Sequence, residues 1–330
     1  GFVETLVSNA ALLRRRIRDP RFSMELYGVG RRSRSDVAIC YISDSVDQSV
    51  LNRMRKLIQS IDVDALTMNI ESLAECMFTH KWINPFPKFK YSERPDTATA
   101  AILDGNIVIM VDNSPAVMII PASIFDIIEE ADDFNFSPMI GSYLRITRFF
   151  FSIVTWILTP LWLLFVNNPD WVPEFMKFVL ITDDITVPVL LQLLILELAV
   201  DGLKLAAVNT PTMLSTPLSI VAGIVVGEYA VSSGWFNPEA LLYMAVVTVG
   251  TYGQTNFEMG YAFKFLRVLT LILTQIFNLG GFITGVVISV LMIAFNRTIT
   301  GKSYIYPLIP WDGKMLKRKV LRVRLPHSYK

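Results

Sequence analysis

The sequence predicts an α+β domain, built from a β-α-β unit and a β-hairpin, followed by an α-helical, multi-span membrane domain. Composition is the first sign. Of 330 residues 52% are hydrophobic and only 18% charged, and the mean hydropathy is +0.46. That is too apolar for one soluble domain of this length. The second sign is unevenness. Residues 1–145 carry frequent charges, whereas residues 146–296 hold apolar runs of bilayer length. The third is a basic tail over residues 297–330, with Arg297, Lys302, Lys314, Lys317, Arg318, Lys319, Arg322 and Arg324. The expected division is therefore 1–145, then a membrane domain of four to six helices with broken or re-entrant segments, then the tail. The chain opens inside a helical pattern, so an N-terminally truncated piece is expected. A formal net charge of +1 offers no global field for nucleic acid.

The first helix is expected over Phe2 to Arg18, where Val3, Leu6, Ala10, Leu13 and Ile17 share a face. Asp19-Pro20 ends it. Its last turns hold Arg14, Arg15, Arg16 and Arg18. They read either as a solvated helix end favoured by the dipole or as a contact for a partner subunit or anionic lipids. Asp36 to Ser43 alternates and predicts a strand, Val46 to Ser60 a helix, and Ile61 to Leu66 a second strand. No glycine-rich loop joins them, so no nucleotide site is expected. Short helices follow at Ile70 to Met77 and Thr97 to Leu103. Asp112-Asn113-Ser114-Pro115 sits between two β-branched runs, Ile107 to Val111 and Ala116 to Ile120, and predicts a hairpin buried on both faces. Cys40 and Cys76 fit reduced residues of a cytosolic domain. With only His80 and His327, neither a metal site nor a cofactor is expected. No nucleophile elbow appears either, so the chain is not expected to be an enzyme.

Ile146 to Val166 is long enough to span a bilayer, with Pro160 as an expected kink and Trp156, Trp162 and Trp171 as expected interfacial anchors. Arg145 and Arg148 precede it, and the acidic loop 167–184 follows. This asymmetry predicts a cytoplasmic N-terminal domain. Further apolar segments run over Val187 to Val208, Thr216 to Trp235 and Glu239 to Tyr252. Gly223 and Gly227, four residues apart in the third segment, suit close packing of another helix. The run Val268 to Phe295 is either one long span or a hairpin turning at Gly280-Gly281. Basic residues on both flanks, Lys264 and Arg267 before it and the tail after it, favour the hairpin and a cytoplasmic tail.

Glu197, Asp201 and Lys204 interrupt the second apolar segment at helical spacing, and Glu228 interrupts the third. Each such group costs roughly 2.5–3.5 kcal/mol at the bilayer centre, so the chain must hide, hydrate or pair it. Two alternatives stand. Glu197, Asp201 and Lys204 form an internal salt bridge that neutralises their charge, or the face with Gln192, Glu197, Asp201, Lys204 and Glu228 lines a wet pore or vestibule that attracts cations.

FVETLVSNAALLRRRIRDP, NPFPKFKYSERPD, GNIVIMVDNSPAVMIIP and STPLSIVAGIVVGEYAVSSGWF together resemble the A subunits of spore germinant receptors, the GerA family. The resemblance covers nearly the whole chain. It implies the spore inner membrane, a homo-oligomeric ring of pentameric type, partnership with other germination membrane proteins, and ion and calcium-dipicolinate release. Where the family usually reads Arg-Glu-Ala-Gly, this chain has VDGLKL at 200–205. Where the family has Gly-Gln, it has Gly227-Glu228. Both departures point to a paralogous branch rather than a nutrient receptor. A channel subunit is the expected function. A non-conducting scaffold and a secondary transporter are the alternatives, and no internal repeat supports the transporter.

Overall fold

The computed structural model describes residues 1–78, 84–209 and 230–323. Residues Gly1–Arg145 and Ile293–Lys330 form one compact unit, and Ile146–Met292 a second.

The first unit is built on an antiparallel sheet of five strands in the order β1-β2-β4-β5-β3. These are β1 (Phe22–Val29), β2 (Ser35–Ile42), β3 (Lys90–Ser92), β4 (Ile107–Val111) and β5 (Val117–Ile120). Side chains alternate across β2. Val37, Ile39 and Tyr41 join one core with α2 (Gln48–Gln59) and α3 (Ile70–Met77). Ala38, Cys40 and Ile42 join another with α1 (Leu6–Arg16) and α4 (Pro95–Leu103). Helices cover both faces, so β2 and β4 need apolar residues on each side. The predicted β4–β5 hairpin forms, with Ile107 opposite Ile120.

The expected β-α-β unit does not form. Residues 61–66 carry no strand, and β2 pairs antiparallel with β1 and β4. Val63 and Asp64 instead offer their carbonyls to Arg31 and Arg32. The strands missing from the sequence reading are the three-residue β3 and β1. The latter is an edge strand with Leu26 67% exposed and Glu25 tied to Arg55, Tyr41 and Tyr27, so its apolar alternation is weak. Cys40 is buried, Cys76 is half-buried, and both are free.

The basic tail belongs to this unit. Within it α10 (Gly313–Val320) packs on α5 (Ile124–Ile128), with Lys319 Nζ 2.5 Å from Asp126 and 3.3 Å from Glu129.

The helical unit draws on α6 (Pro138–Asn167), α7 (Val189–Asn209), α8 (Pro238–Tyr252) and α9 (Phe257–Ala294). Two of them, α6 and α9, are long and apolar enough to cross a membrane. Trp162, Leu163, Leu193, Leu196, Met244 and Leu271 make its core. Trp156 and Trp162 are buried, and Trp162 donates to the Val179 carbonyl at 2.7 Å. They are packing residues rather than the expected interfacial anchors, whereas Trp171 is exposed.

The helix α9 is a hairpin. Asn278 has φ 51° and ψ −129°, outside the helical region. A Cβ on Gly285 would stand 2.9 Å from Cα of Thr270, and one on Gly281 would overlap the Leu273 carbonyl. At a rise of 1.5 Å per residue, such pairs would lie more than 10 Å apart on a straight helix. The turn falls at Asn278, just before the expected Gly280-Gly281. Asn278 and Asn168 exchange amide hydrogen bonds of 2.6 and 2.9 Å, which sets the hairpin tip beside the end of α6.

Candidate functional site

The site is an ionic cluster where α7 faces the first arm of α9. On α7, Glu197 and Asp201 lie one turn apart, and Lys204 follows on the same face. On α9, Lys264 and Arg267 are likewise one turn apart. Arg267 Nε donates to Glu197 Oε1 at 2.5 Å, and its Nη1 donates to the Thr155 carbonyl of α6. Lys264 Nζ pairs with Asp201, donates to the Glu197 carbonyl at 3.1 Å and lies 3.5 Å from Glu197 Oε2. Glu197 is 4% exposed and Arg267 3%.

This corrects two expectations. Lys264 and Arg267 do not flank a span; they lie within the helix and supply the counter-charges. Lys204 does not pair with Asp201. Its ammonium sits over the rings of Tyr252 and Tyr261, 5.3 and 5.5 Å from their centroids, and it has no ion pair among the described residues. Proximity along α7 pointed to Lys204 as the partner. The missing signal was arithmetic: two carboxylates on one helix call for two cations at matching spacing on another.

These five side chains line a cavity of about 130 Å³, with Thr248, Thr251, Gln254 and Asn256 on its walls. Among the described residues its charged lining is two carboxylates and three cations, a surplus of positive charge. A larger cavity, about 310 Å³, lies in the sheet unit, but its cations are occupied. Lys90 donates to the Asp126 and Glu129 carbonyls, Lys319 pairs with both side chains, and Arg94 pairs with Asp96 and Asp132.

The other expected site residues are not brought here. Gln192 is buried, donates to the Val187 carbonyl and to Asn237 Oδ1, each at 2.7 Å, and accepts from Asn237 N. It ties the start of α7 to the cap of α8. Glu228, Gly223 and Gly227 lie outside the described residues. A close approach does occur at Gly250, where a Cβ would be 2.6 Å from Thr155 Cγ2. Arg14 covers the Phe22 ring at 4.7 Å and donates to its carbonyl at 3.0 Å, while Arg15, Arg16 and Arg18 are exposed. No His/Cys/Asp/Glu group among the described residues could hold a metal.

Two helices long and apolar enough to cross a membrane point to a membrane protein, and comparison supplies its family. The chain belongs to the family described as "Bacillus/Clostridium GerA spore germination protein", whose model matches residues 1–330. It is similar to stage V sporulation protein AF of Bacillus subtilis (strain 168), at 38% identity over 99% of this chain and 66% of that protein. Spore germination protein GerLA of Bacillus cereus is 27% identical over 98% of this chain and 66% of its own length. Spore germination protein KA of Bacillus subtilis is 26% identical, and the chain spans 59% of it. Among solved structures, the N-terminal domain of the A subunit of the Bacillus megaterium spore germinant receptor GerK3 aligns at 32% identity. That alignment covers 36% of this chain and 92% of that one, with a TM-score of 0.29.

Proposed function

We propose that the chain is a multi-pass, non-enzymatic subunit of a spore germination complex in the spore inner membrane. There it forms a homo-oligomeric, ring-shaped ion channel, of pentameric type, supporting ion and calcium-dipicolinate release. The observation that carries this reading is the charged cavity inside apolar helices. Ionisable groups at membrane depth belong to a bundle interior or a water path, and a cavity of about 130 Å³ holds several waters, since roughly 10–15 Å³ suffices for one.

Topology follows the same reading. That residues 1–145 and 293–330 share one compact unit supports placing both on one side of the membrane. Lysine and arginine bias makes that side the cytoplasm. The loop 167–184 then lies outside, and exposed Arg15, Arg16 and Arg18 are free for anionic lipids or a neighbouring germination protein.

One observation favours the non-conducting scaffold as second reading. Glu197 is neutralised by Arg267 and Lys264 inside one chain, as in a structural clasp. Class averages of the purified particle, together with planar-bilayer currents, decide between them. A closed ring with ion currents that change in a Lys264→Gln variant supports the channel. A ring without current supports the scaffold, and a monomer overturns both.

A further inference from the structure

Lys204 and Gln254 line the same cavity beside the ion pairs. Its two carboxylates already accept from Lys264 and Arg267. Among the described lining residues Lys204 is the cation left without an ion pair, resting on two tyrosine rings. Ring faces attract a cation but leave its N–H donors without acceptors. On the opposite count, Gln254 Oε1 is buried without a hydrogen-bond donor, while its Nε2 donates to Thr155 Oγ1 at 3.2 Å. One cavity therefore presents a surplus positive charge and an orphan acceptor. Thr248, Thr251, Tyr252 and Tyr261 also line it.

Taking this cavity as part of the membrane subunit described above, we infer that it binds a small carboxylate carrying a hydrogen-bond donor, with Lys204 holding the carboxylate and Gln254 accepting from the donor. The ligand is an anion, contrary to the cation that the spacing of Glu197 and Asp201 suggested. A cation would meet three positive side chains against two carboxylates that are already paired. An anion neutralises the surplus, and a half-buried charge such as Lys204 gains from a partner. A hydroxyl on the same molecule satisfies Gln254, whose unpaired oxygen otherwise remains a desolvated acceptor.

Lactate is the simplest probe with both groups. Thermal unfolding of the purified chain in detergent is followed while sodium lactate is raised against sodium chloride of equal ionic strength. Lactate is expected to raise the midpoint to a plateau, as a ligand of the native state does, while chloride does not. Lys204→Arg retains the plateau. Lys204→Gln and Gln254→Met each raise the half-saturating concentration about tenfold or more. A wild-type protein with no saturable response, a response shared by chloride, or variants with unchanged half-saturation would overturn the assignment. Should Lys204→Gln not fold, Gln254→Met alone decides. Bilayer currents separate the two readings. A chain that conducts but ignores lactate loses this ligand only, and one that saturates with lactate but carries no current loses the channel only.

Discussion

Arg267→Met is the sharpest probe of the helical unit. The guanidinium is 3% exposed and makes two contacts, to Glu197 Oε1 and to the Thr155 carbonyl. Its loss leaves the buried Glu197 carboxylate to Lys264 alone, at 3.5 Å, and that lysine is already committed to Asp201. Breaking one member of a buried pair costs about 3–5 kcal/mol, and the stranded Thr155 carbonyl adds about 1 kcal/mol or more. Totals near 5 kcal/mol match the whole stability of many domains, so the single variant is expected to lose most folded yield. In Glu197→Gln/Arg267→Met the buried charge is gone from both sides. Replacing a buried pair with neutral groups of similar volume is often neutral or better, so the double variant should recover within about 1–2 kcal/mol of wild type. The assay is denaturant unfolding of the purified chain in mild detergent, read by tryptophan fluorescence, with yield measured in parallel. Two results would refute the reasoning. A single variant as stable as wild type means water reaches Glu197 freely. A double variant no better than the single means Arg267 acts through packing alone.

Three further outcomes are expected. Gly285→Leu should abolish the folded hairpin, because its Cβ would meet Thr270 backbone at 2.9 Å, whereas Gly280→Ala should be tolerated, with nothing within 4 Å; protease resistance of the helical unit separates them. In the sheet unit, burial raises the Asp126 carboxyl, but Lys319 and the Ser123 donors outweigh it and hold it below the usual range. Burial lowers Lys319, but Asp126 and Glu129 outweigh it and hold it above the usual range. The Asp126 contribution is therefore full above the ordinary carboxylate range and lost in acid, and that of Lys319 is full below the ordinary lysine range and lost at higher pH. Unfolding midpoints should fall at both extremes, and Lys319→Met should flatten the alkaline limb; an unchanged limb removes the clasp. Single cysteines placed at Arg16 and Lys314 should react with an impermeant reagent from one side of a vesicle and a cysteine at Glu174 from the other, since a tail labelled from the loop's side would break the shared-unit topology.

Legibility in the fold followed burial. The hairpin at Ile107 to Ile120 was readable because both strands are apolar on both faces and Asp112-Asn113 marks the turn, where Asn113 has φ 60°. The helix at Val46 to Ser60 was readable because Val50, Leu51, Met54 and Ile58 recur at helical spacing; the structure adds a cap, Asp47, which accepts from Ser49 N. Edge strands gave no such signal. The strand β1 pairs on one side only, with Glu25 and Leu26 exposed or half-exposed, and β3 is three residues long. The segment Ile61 to Leu66 misled for a physical reason. Its apolar residues Ile61, Val63 and Leu66 pack on the α2–α3 core as a coil, and alternation over so short a stretch does not distinguish the two.

The site was half legible, and the missing half is a matter of counting charges across helices. Glu197, Asp201 and Lys204 were conspicuous because their own surroundings are apolar. Lys264 and Arg267 were hidden because a basic pair beside an apolar run also reads as a membrane flank. Yet a flank assignment leaves two carboxylates at depth with one lysine between them, a net deficit that the same cost per group makes unfavourable. Treating each ionisable residue of a hydrophobic segment as a demand for an opposite partner would have drawn Lys264 and Arg267 inward, at the three-residue spacing that matches a four-residue carboxylate pair on a facing helix. Carried one step further, the same count leaves Lys204 over. Its ring contacts soften that surplus but do not cancel it, and a half-buried ammonium is stabilised by an opposite charge close by. Among the described residues no carboxylate forms a direct ion pair with it, those of Glu197 and Asp201 being held by Lys264 and Arg267, so the surplus itself is the reason to look for an anion in the cavity.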